Sequence, residues 1–553
     1  MISSLRRWTQ SRRRIIFIVK RPKDGALPGA RRAGGLRRGL VFFGLVSLAS
    51  LACVVQATKP TDDMFNPPAL PITITPAPPT ATRTAAPLEP TRLPDTPTPI
   101  PPTYTPAPVV PNPPFLYYAQ QGDTLPVLAA RFGVDPAEIV SPDPIPATAL
   151  IPINQLLIIP SRVGNTTSST RVMPDSEVVY SPSTIGFDIQ AFVQQAGGYL
   201  SKYREYLGTT GWTSGAEIVQ RVALENSVNP RLLLALLEYQ GGWVYGQPKD
   251  ALHTKYPLGY TNTQEDHLYQ QLIWAVNKLS IGYYGWREGL LTEVAFSDGV
   301  KARLAPDLNA GTAALQYYLA QVYSTQPWVA ALDEQQGLPA LYDRMFGNAW
   351  LRAAEVEPLF TADLVQPELN LPFFYNQVWS YSGGPHGAWE HDGARAALDF
   401  APGGMESGCV PSDAWVVSAS AGVITRSGHA TLVVDLDGDG FEQTGWVLLY
   451  LHLIPGDQPL QVGDFVAAGD LLGHPSCEGG FATGTHIHLA RKYNGEWALA
   501  DGPTPFVLSG WTARAGPNPY EGTMIRASDV ITANVYGSSE TQIIRKREPV
   551  DGP

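Results

Sequence analysis

Residues 477–488 read Cys-Glu-Gly-Gly-Phe-Ala-Thr-Gly-Thr-His-Ile-His and decide how the last third of the chain is interpreted. Two histidines, His486 and His488, follow a glycine-rich turn and are two residues apart on a predicted strand. Side chains at positions i and i+2 of a strand leave the same face. The two imidazoles can therefore bind one metal ion together, or divide into one ligand and one catalytic group.

The sequence around this pair predicts a β domain. From residue 370 to residue 515, β-branched runs such as Trp446–Leu451 alternate with turns rich in Gly, Asp and Pro, a pattern typical of antiparallel sheets. Three further candidates for a site lie along it: His386 in Gly-Pro-His-Gly, Asp399 in Leu-Asp-Phe and His452 in Leu-His-Leu. A hydrolytic zinc ion needs three N or O ligands and one open position, which these residue types can supply.

The order and context of these residues resemble the lysostaphin-like (LytM-type) zinc metallopeptidases, which cut the peptides of peptidoglycan. Most of that family carries its first histidine ligand four residues before the aspartate, where this chain has Arg395. The β-lytic subgroup instead has a Gly-x-His loop farther upstream, like the one that contains His386. It also shares the Cys-Glu-Gly-Gly turn and the Tyr-Asn-Gly of residues 493–495. The resemblance is therefore closest to the β-lytic metallopeptidases.

This resemblance implies roles for five residues. His386, Asp399 and His488 would be the ligands of Zn²⁺, while His452 and His486 would flank the attacking water and stabilise the tetrahedral intermediate. Either of these two histidines could be the general base, and the sequence does not choose between them. His391 is an alternative to His386 as the first ligand, and the Gly-Pro-His-Gly context favours His386.

The N-terminus is strongly basic. Residues 1–38 carry a net charge of +11, whereas the rest of the chain sums to −22. The uncharged apolar run within residues 39–56 follows directly, and its positive flank places the N-terminus in the cytoplasm and everything after it outside. A membrane anchor, a lipoprotein modified at Cys53 and a cleaved signal peptide all remain open. Because the apolar run explains the basic block, nucleic acid is disfavoured as a partner.

Residues 57–114 are rich in Pro and Thr and predict an extended linker. Residues 115–161 combine a strand, a Gly-Asp-Thr turn, two short helices and a closing strand, and this βααβ pattern resembles a LysM domain. The resemblance implies binding to the glycan of peptidoglycan. A second linker, residues 162–183, is rich in Ser and Thr.

Residues 184–365 are predicted to form a helical domain. Its segment 226–243 resembles the start of a lysozyme-like transglycosylase domain, in which a glutamate acts as the general acid. Here Gln240 occupies that position, and an amide cannot serve as the acid. Glu238 is about 200° away around a helix and is expected to be a surface carboxylate. The domain is therefore predicted to dock glycan or act as a spacer without cleaving it.

Two smaller patterns carry predictions. Cys409 and Cys477 are the cysteines of the predicted exported part, so we expect a disulfide between them. Residues 435–440 read Asp-Leu-Asp-Gly-Asp-Gly, like the start of a calcium loop, but the twelfth position is Trp446 where an EF-hand has its glutamate. A hairpin turn is favoured there.

The sequence thus predicts a multidomain α+β protein: an anchor, a LysM module, an all-α lysozyme-like domain and a mainly antiparallel metallopeptidase domain, followed by a tail over residues 516–553. The expected function is that of a zinc endopeptidase of the cell wall, facing the wall from the cell membrane. Two alternatives remain, a non-catalytic murein-binding protein that activates another hydrolase and a glycan-cleaving enzyme that acts through the helical domain.

Overall fold

The computed structural model describes residues 113–546, apart from residues 263, 390–391 and 405–407. The described residues belong to one compact unit, residues 103–553. The predicted basic segment and anchor, and all but the end of the first linker, lie outside the described residues. Among the helices that are described, none is both long and apolar enough to cross a bilayer.

A small βα module opens the described chain. Strand β1 (Phe115–Tyr118) pairs antiparallel with β2 (Leu156–Ile159), and helix α1 (Leu125–Phe132) packs on them. The second predicted helix is a single 3₁₀ turn, Pro136–Glu138. It begins at a capping box formed by Asp135 and Glu138, and the backbone is extended again at Ile139. The module buries its own core, centred on Leu128 and the fully buried Leu157.

A helical region follows, with two small hairpins inserted. Its helices and strands, in chain order, are α2 (Ile189–Ala196), β3 (Arg204–Leu207), β4 (Gly211–Ser214), α3 (Gly215–Asn226), α4 (Pro230–Leu236), α5 (Ala251–Lys255), α6 (His267–Arg287), β5 (Glu293–Ala295), β6 (Lys301–Arg303), α7 (Ala310–Val322), α8 (Thr325–Ala331), α9 (Leu338–Phe346) and α10 (Ala349–Val356). Helix α3 begins at a capping box in which Ser214 and Glu217 satisfy each other's backbone N–H groups. The long α6 packs along α7 at the centre of the region.

The remaining strands form an antiparallel β region. They are β7 (Val378–His386), β8 (Ala397–Pro402), β9 (Val416–Val417), β10 (Gly422–Gly428), β11 (Thr431–Asp435), β12 (Trp446–Leu451), β13 (Leu453–Ile454), β14 (Phe465–Val466), β15 (Leu471–Pro475), β16 (Ile487–Tyr493), β17 (Glu496–Trp497), β18 (Val507–Leu508), β19 (Trp511–Ala515), β20 (Gly522–Arg526), β21 (Asp529–Thr532) and β22 (Gln542–Ile544). The main sheet has the order β14-β10-β11-β12-β16-β8-β7-β22, with β17 paired to β16. The predicted mixture of helices with a C-terminal antiparallel sheet is confirmed.

The main sheet is covered on both faces, as strand β12 shows. All six of its residues are buried. Leu448 and Tyr450 belong to the core that the main sheet shares with two smaller sheets, β13-β15-β9 and β18-β19-β20-β21. Val447, Leu449 and Leu451 point to the opposite face and join the core of the helical region. Because side chains alternate along a strand, a continuous apolar run requires a cover on each face. The helical region is that cover on one side.

The β region extends beyond the predicted boundary at residue 515. Strands β20 and β21 continue a four-stranded sheet, and β22 pairs with β7 at the edge of the main sheet. The predicted tail therefore contributes three strands, up to Ile544. The segment Gln542–Ile544 is too short for an alternation of apolar and polar residues to predict a strand. It forms a strand because it pairs with the open edge of β7.

Three regions of the chain meet at a buried ion cluster. Arg287 at the end of α6 pairs with Asp175 (2.8 Å) and with Glu496 of β17 (2.9 Å). Gln121 of the βα module donates to Glu496 from its side chain (3.2 Å) and accepts from Arg287 at its carbonyl. Burial raises the pKa of Glu496, and Arg287 opposes that rise. The turn of the βα module is thus part of a contact between these regions.

The predicted disulfide is confirmed. Cys409 and Cys477 are joined, with their Cα atoms 5.7 Å apart and a sequence separation of 68. The bridge ties the loop after β8 to the segment that precedes His486. It also fixes Cys477, the residue before Glu478. The Glu478 carbonyl accepts a hydrogen bond from His452 Nδ1 (2.7 Å).

Replacing both cysteines by serine is expected to lower the free energy of unfolding by about 2–4 kcal/mol, because a cross-link of this span restricts the unfolded chain. Thermal unfolding of the oxidised protein and of the Cys409→Ser, Cys477→Ser variant measures the difference. An unchanged melting temperature would show that the bridge contributes no stability.

Candidate metal centre

The sheet places Asp399 and His488 side by side. They are direct cross-strand partners on β8 and β16. His386 ends β7, the strand on the other side of β8. Gly383 of β7 lies opposite Asp399, and a Cβ atom there would approach the Asp399 Oδ2 to 2.5 Å. The residue at position 383 must therefore be glycine to leave room for the carboxylate.

These three side chains converge on one point. His386 Nε2 is 3.3 Å from Asp399 Oδ1, His488 Nδ1 is 3.2 Å from the same oxygen, and the two nitrogens are 3.0 Å apart. All three residues are buried. The predicted first set of site residues, although separated by up to 102 positions in the chain, is thus assembled in one cluster.

The hydrogen bonds of the two imidazoles fix which nitrogen faces the cluster. His386 Nδ1 donates to the Gly384 carbonyl (2.8 Å), and His488 Nε2 donates to the Ala388 carbonyl (3.0 Å). The opposite nitrogens then carry lone pairs and point at each other. Asp399 Oδ1, buried between them, has no hydrogen-bond donor among the described residues. Three acceptors facing one point fit a cation such as zinc.

The protonation states also suit a metal. Burial would raise the pKa of Asp399, but the adjacent imidazoles of His386 and His486 hold it well below its usual range. Burial lowers the pKa of His488. At neutral pH the site therefore offers a carboxylate and a neutral imidazole, which are the forms that bind metal ions.

The second predicted set, His452 and His486, lies beside the cluster. Their ring centroids are 4.5 Å apart. His452 Nδ1 donates to the Glu478 carbonyl and His486 Nδ1 to the Gly484 carbonyl, each at 2.7 Å. The Nε2 atom of His486 is 3.7 Å from Asp399 Oδ1. Burial, together with the neighbouring histidines, lowers the pKa of His452 to about 3, so its imidazole is neutral over the physiological range.

One aromatic residue at the site was not predicted. Tyr520 stacks on the ring of His386, with centroids 4.1 Å apart and planes at 21°. Burial raises its pKa to about 12. It comes from the predicted tail, and no motif marks it in the sequence. Its place at the site depends on the unpredicted packing of β20 against β7.

Arg395 and His474 are not part of the cluster. Arg395 points away from the cluster and pairs with Glu288 at the end of α6 (3.1 Å). His474 Nδ1 donates to the Ala414 carbonyl (2.9 Å), and His474 lies outside the cluster. His391, the alternative first ligand, lies outside the described residues.

The cluster lies in a cleft of about 1580 Å³. His386, His452, His486 and His488 line it, together with residues of the Gly-rich turn 479–485. Arg221 and Glu225 of α3 also line it, paired with each other at 2.8 Å. The helical region thus forms part of the wall of this cleft, which the sequence did not predict.

The suspected catalytic position of the helical region holds no acid. Gln240 lies in a π-helical turn, Leu237–Gly241, where it is buried and accepts a hydrogen bond from Tyr318 (2.6 Å). Glu238 points elsewhere and accepts the backbone N–H groups of Val244 and Tyr245. The expectation of a surface carboxylate is corrected to a half-buried one that stabilises a turn. Neither side chain can act as a glycosidase acid here.

The Asp-rich loop joins β11 to β12, which pair as a hairpin as predicted. Oxygens of Asp435, Asp437 and Asp439 lie within 4.8 Å of one another. Both carboxylate oxygens of Asp435 accept backbone N–H groups of the loop itself, from Asp437 and Gly440. The carboxylates therefore shape the hairpin.

Comparison with known proteins gives one family and several relatives. Residues 171–359 match a family described as "LasA, N-terminal domain". The chain is 27% identical over 353 residues to the protease LasA of Pseudomonas aeruginosa, covering 59% of this chain and 75% of that protein. LasA from a second strain matches at the same identity over 358 residues.

Two solved structures also match. The deep-sea M23 metalloprotease pseudoalterin is 26% identical, with a TM-score of 0.26, 31% of this chain and 96% of that chain being covered. The catalytic domain of lysostaphin from Staphylococcus simulans is 24% identical, with a TM-score of 0.17, over 23% of this chain and 90% of that chain. The family match covers most of the helical region and does not test the predicted lysozyme-like resemblance.

Proposed function

We propose that this chain, a LasA-like metallopeptidase of the M23 (LytM) type, cleaves peptide bonds of peptidoglycan outside the cytoplasm. The chain is a zinc metalloendopeptidase. The observation that carries the proposal is the convergence of His386 Nε2, Asp399 Oδ1 and His488 Nδ1 on one buried point without a donor between them. These three residues would hold the ion.

When bound, zinc supplies a Lewis acid that polarises a carbonyl and makes a nucleophile available near neutral pH. The protein contributes the rest. His452 and His486 each hold a proton at Nδ1 through a backbone carbonyl, which leaves Nε2 free to accept or return a proton. The two Nε2 atoms also suit stabilisation of an oxyanion once one of them is protonated.

Export and attachment to the cell membrane are part of the proposal. Support comes from the basic and apolar N-terminal sequence, and from the disulfide, which persists in oxidising compartments. The LysM-like module is proposed to contact glycan through its exposed β1 side chains, Leu116 and Tyr118. Its turn is already used in the interdomain contact with Arg287. The β-lytic resemblance remains the proposed subgroup.

Product chemistry tests the function. Purified peptidoglycan is digested with the full chain in detergent and with its His488→Ala variant, and new ends are identified by mass spectrometry. New amino termini that disappear in the variant support the peptidase. New reducing or anhydro sugar ends would contradict it, as would the absence of any product.

Replacing His452 or His486 by glutamine is expected to lower kcat by about 10²–10⁴-fold, the usual contribution of a positioned acid or base. Zinc content should stay near one ion per chain, because neither residue belongs to the ligand set. Metal analysis and initial rates on the same samples measure both quantities. A variant that loses its zinc would instead identify that histidine as a ligand.

A further inference from the structure

The ligand loop, defined as the described residues 387–389 and 392–396 between β7 and β8, is supported by the helical region. Ala388, Ala394 and Ala396 are almost fully buried and belong to the hydrophobic core of the helical region. The loop connects His386 at the end of β7 to the strand that carries Asp399. Two of the three proposed zinc ligands are therefore joined by a segment that rests on helices.

Helix α6 contacts the ligand loop at two points. Ser280 packs against Gly393, where an added Cβ atom would lie 2.1 Å from the Ser280 Oγ. The same hydroxyl accepts the backbone N–H of Ala394 (3.4 Å). Just beyond the C-terminus of the helix, Glu288 pairs with Arg395 at 3.1 Å, and the two side chains are only 17% and 22% exposed. Among the described residues, the loop is thus held to α6 and the residue after it by one hydrogen bond and one shielded ion pair.

A chain of hydrogen bonds leads from α6 to the metal cluster. Ser280 Oγ accepts from the Ala394 N–H, and the Ala394 carbonyl accepts from the Ala388 N–H (2.9 Å). The Ala388 carbonyl in turn accepts from His488 Nε2 (3.0 Å). This last bond decides which nitrogen of His488 faces the cluster. On the other side, Arg395 is two residues before β8, the strand that carries Asp399.

We propose that helix α6 positions the zinc ligands through the ligand loop, with Ser280, Glu288 and Arg395 as positioning residues. The inference rests on the proposed zinc site. Most of the resembling family has a metal ligand at the position of Arg395. In this chain, Arg395 instead anchors the ligand loop to the helical region. The helical region is then a working part of the metal centre.

The test is the zinc dissociation constant of the full chain in detergent, measured by competition with a fluorescent chelator. Glu288→Ala, Arg395→Ala and Ser280→Ala are each expected to weaken zinc binding by up to about tenfold, the lower end of the effect of losing a direct outer partner of a metal ligand. The charge-exchanged variant Glu288→Arg, Arg395→Glu should bind more tightly than either single alanine variant. Arg395→Lys should restore most of the affinity.

Arg514→Ala, which removes an exposed ion pair with Asp501, is the matched control and should bind zinc like the parent protein. Melting of the metal-free variants separates positioning from folding, and Ser280→Ala remains informative if Glu288→Ala does not fold. Parent-like zinc affinity in the folded variants would overturn the inference and leave the proposed function intact. A parent chain that binds no zinc would overturn both.

Discussion

Replacing His488 with alanine is expected to remove zinc from the protein and to lower kcat/KM on peptidoglycan by at least about 10³-fold, because water without a metal ion has a far higher pKa and is a poor nucleophile. The variant removes one of the three acceptors, His386 Nε2, Asp399 Oδ1 and His488 Nδ1, that converge on one buried point. Zinc content by atomic emission and initial hydrolysis rates are measured on the same preparation. Asp399→Ala should behave in the same way.

His474→Ala is the matched control, because this histidine belongs to the same β region and lies outside the cluster. It should keep both zinc and activity. If His488→Ala retains one tightly bound zinc ion and parent-like rates, the proposed ligand set is wrong.

Replacing Arg287 with alanine is expected to reduce the free energy of unfolding by about 3–5 kcal/mol, the usual result when one partner of a buried ion pair is removed. Asp175 and Glu496 would then remain buried without their common cation; in the parent protein their side chains are 9% and 7% exposed. Urea unfolding at neutral pH measures the change. The βα module, the helical region and the β region should loosen together, since all three contribute to this cluster.

The control for this variant is again Arg514→Ala. Its ion pair with Asp501 has the same 2.9 Å separation as the Arg287–Glu496 pair but is 46% and 33% exposed. Such a pair contributes about 0–1 kcal/mol. A loss for Arg287→Ala no larger than that of the control would show that the buried cluster does not hold the regions together.

The metal cluster could be predicted because its residues follow local patterns. The His-x-His spacing places two imidazoles on the same face at the start of a strand. The segments around His386 and Asp399 carry recognisable motifs. The predicted five residues are brought together. Their roles as ligands and catalytic groups stay predictions until they are measured. The disulfide followed from cysteine count and compartment alone and is confirmed.

The contacts between regions could not be predicted, since they join residues far apart in sequence that carry no shared pattern. In the sequence, Arg395 occupies a position where most of the resembling family has a ligand. Its role is explained only by its ion pair with Glu288, which is 107 positions away in the chain. Tyr520 reaches His386 because β20 packs beside β7. The apolar run of β12 did indicate burial on both faces, but not which part of the chain covers it.

X-ray diffraction from zinc-loaded crystals, recorded on both sides of the zinc absorption edge, tests the central claim most directly. An anomalous peak is expected at about 2.0–2.2 Å from His386 Nε2, Asp399 Oδ1 and His488 Nδ1, the usual bond lengths of zinc to N and O ligands. A zinc peak that occurs only elsewhere, for example among Asp435, Asp437 and Asp439, would contradict it, as would the absence of any peak.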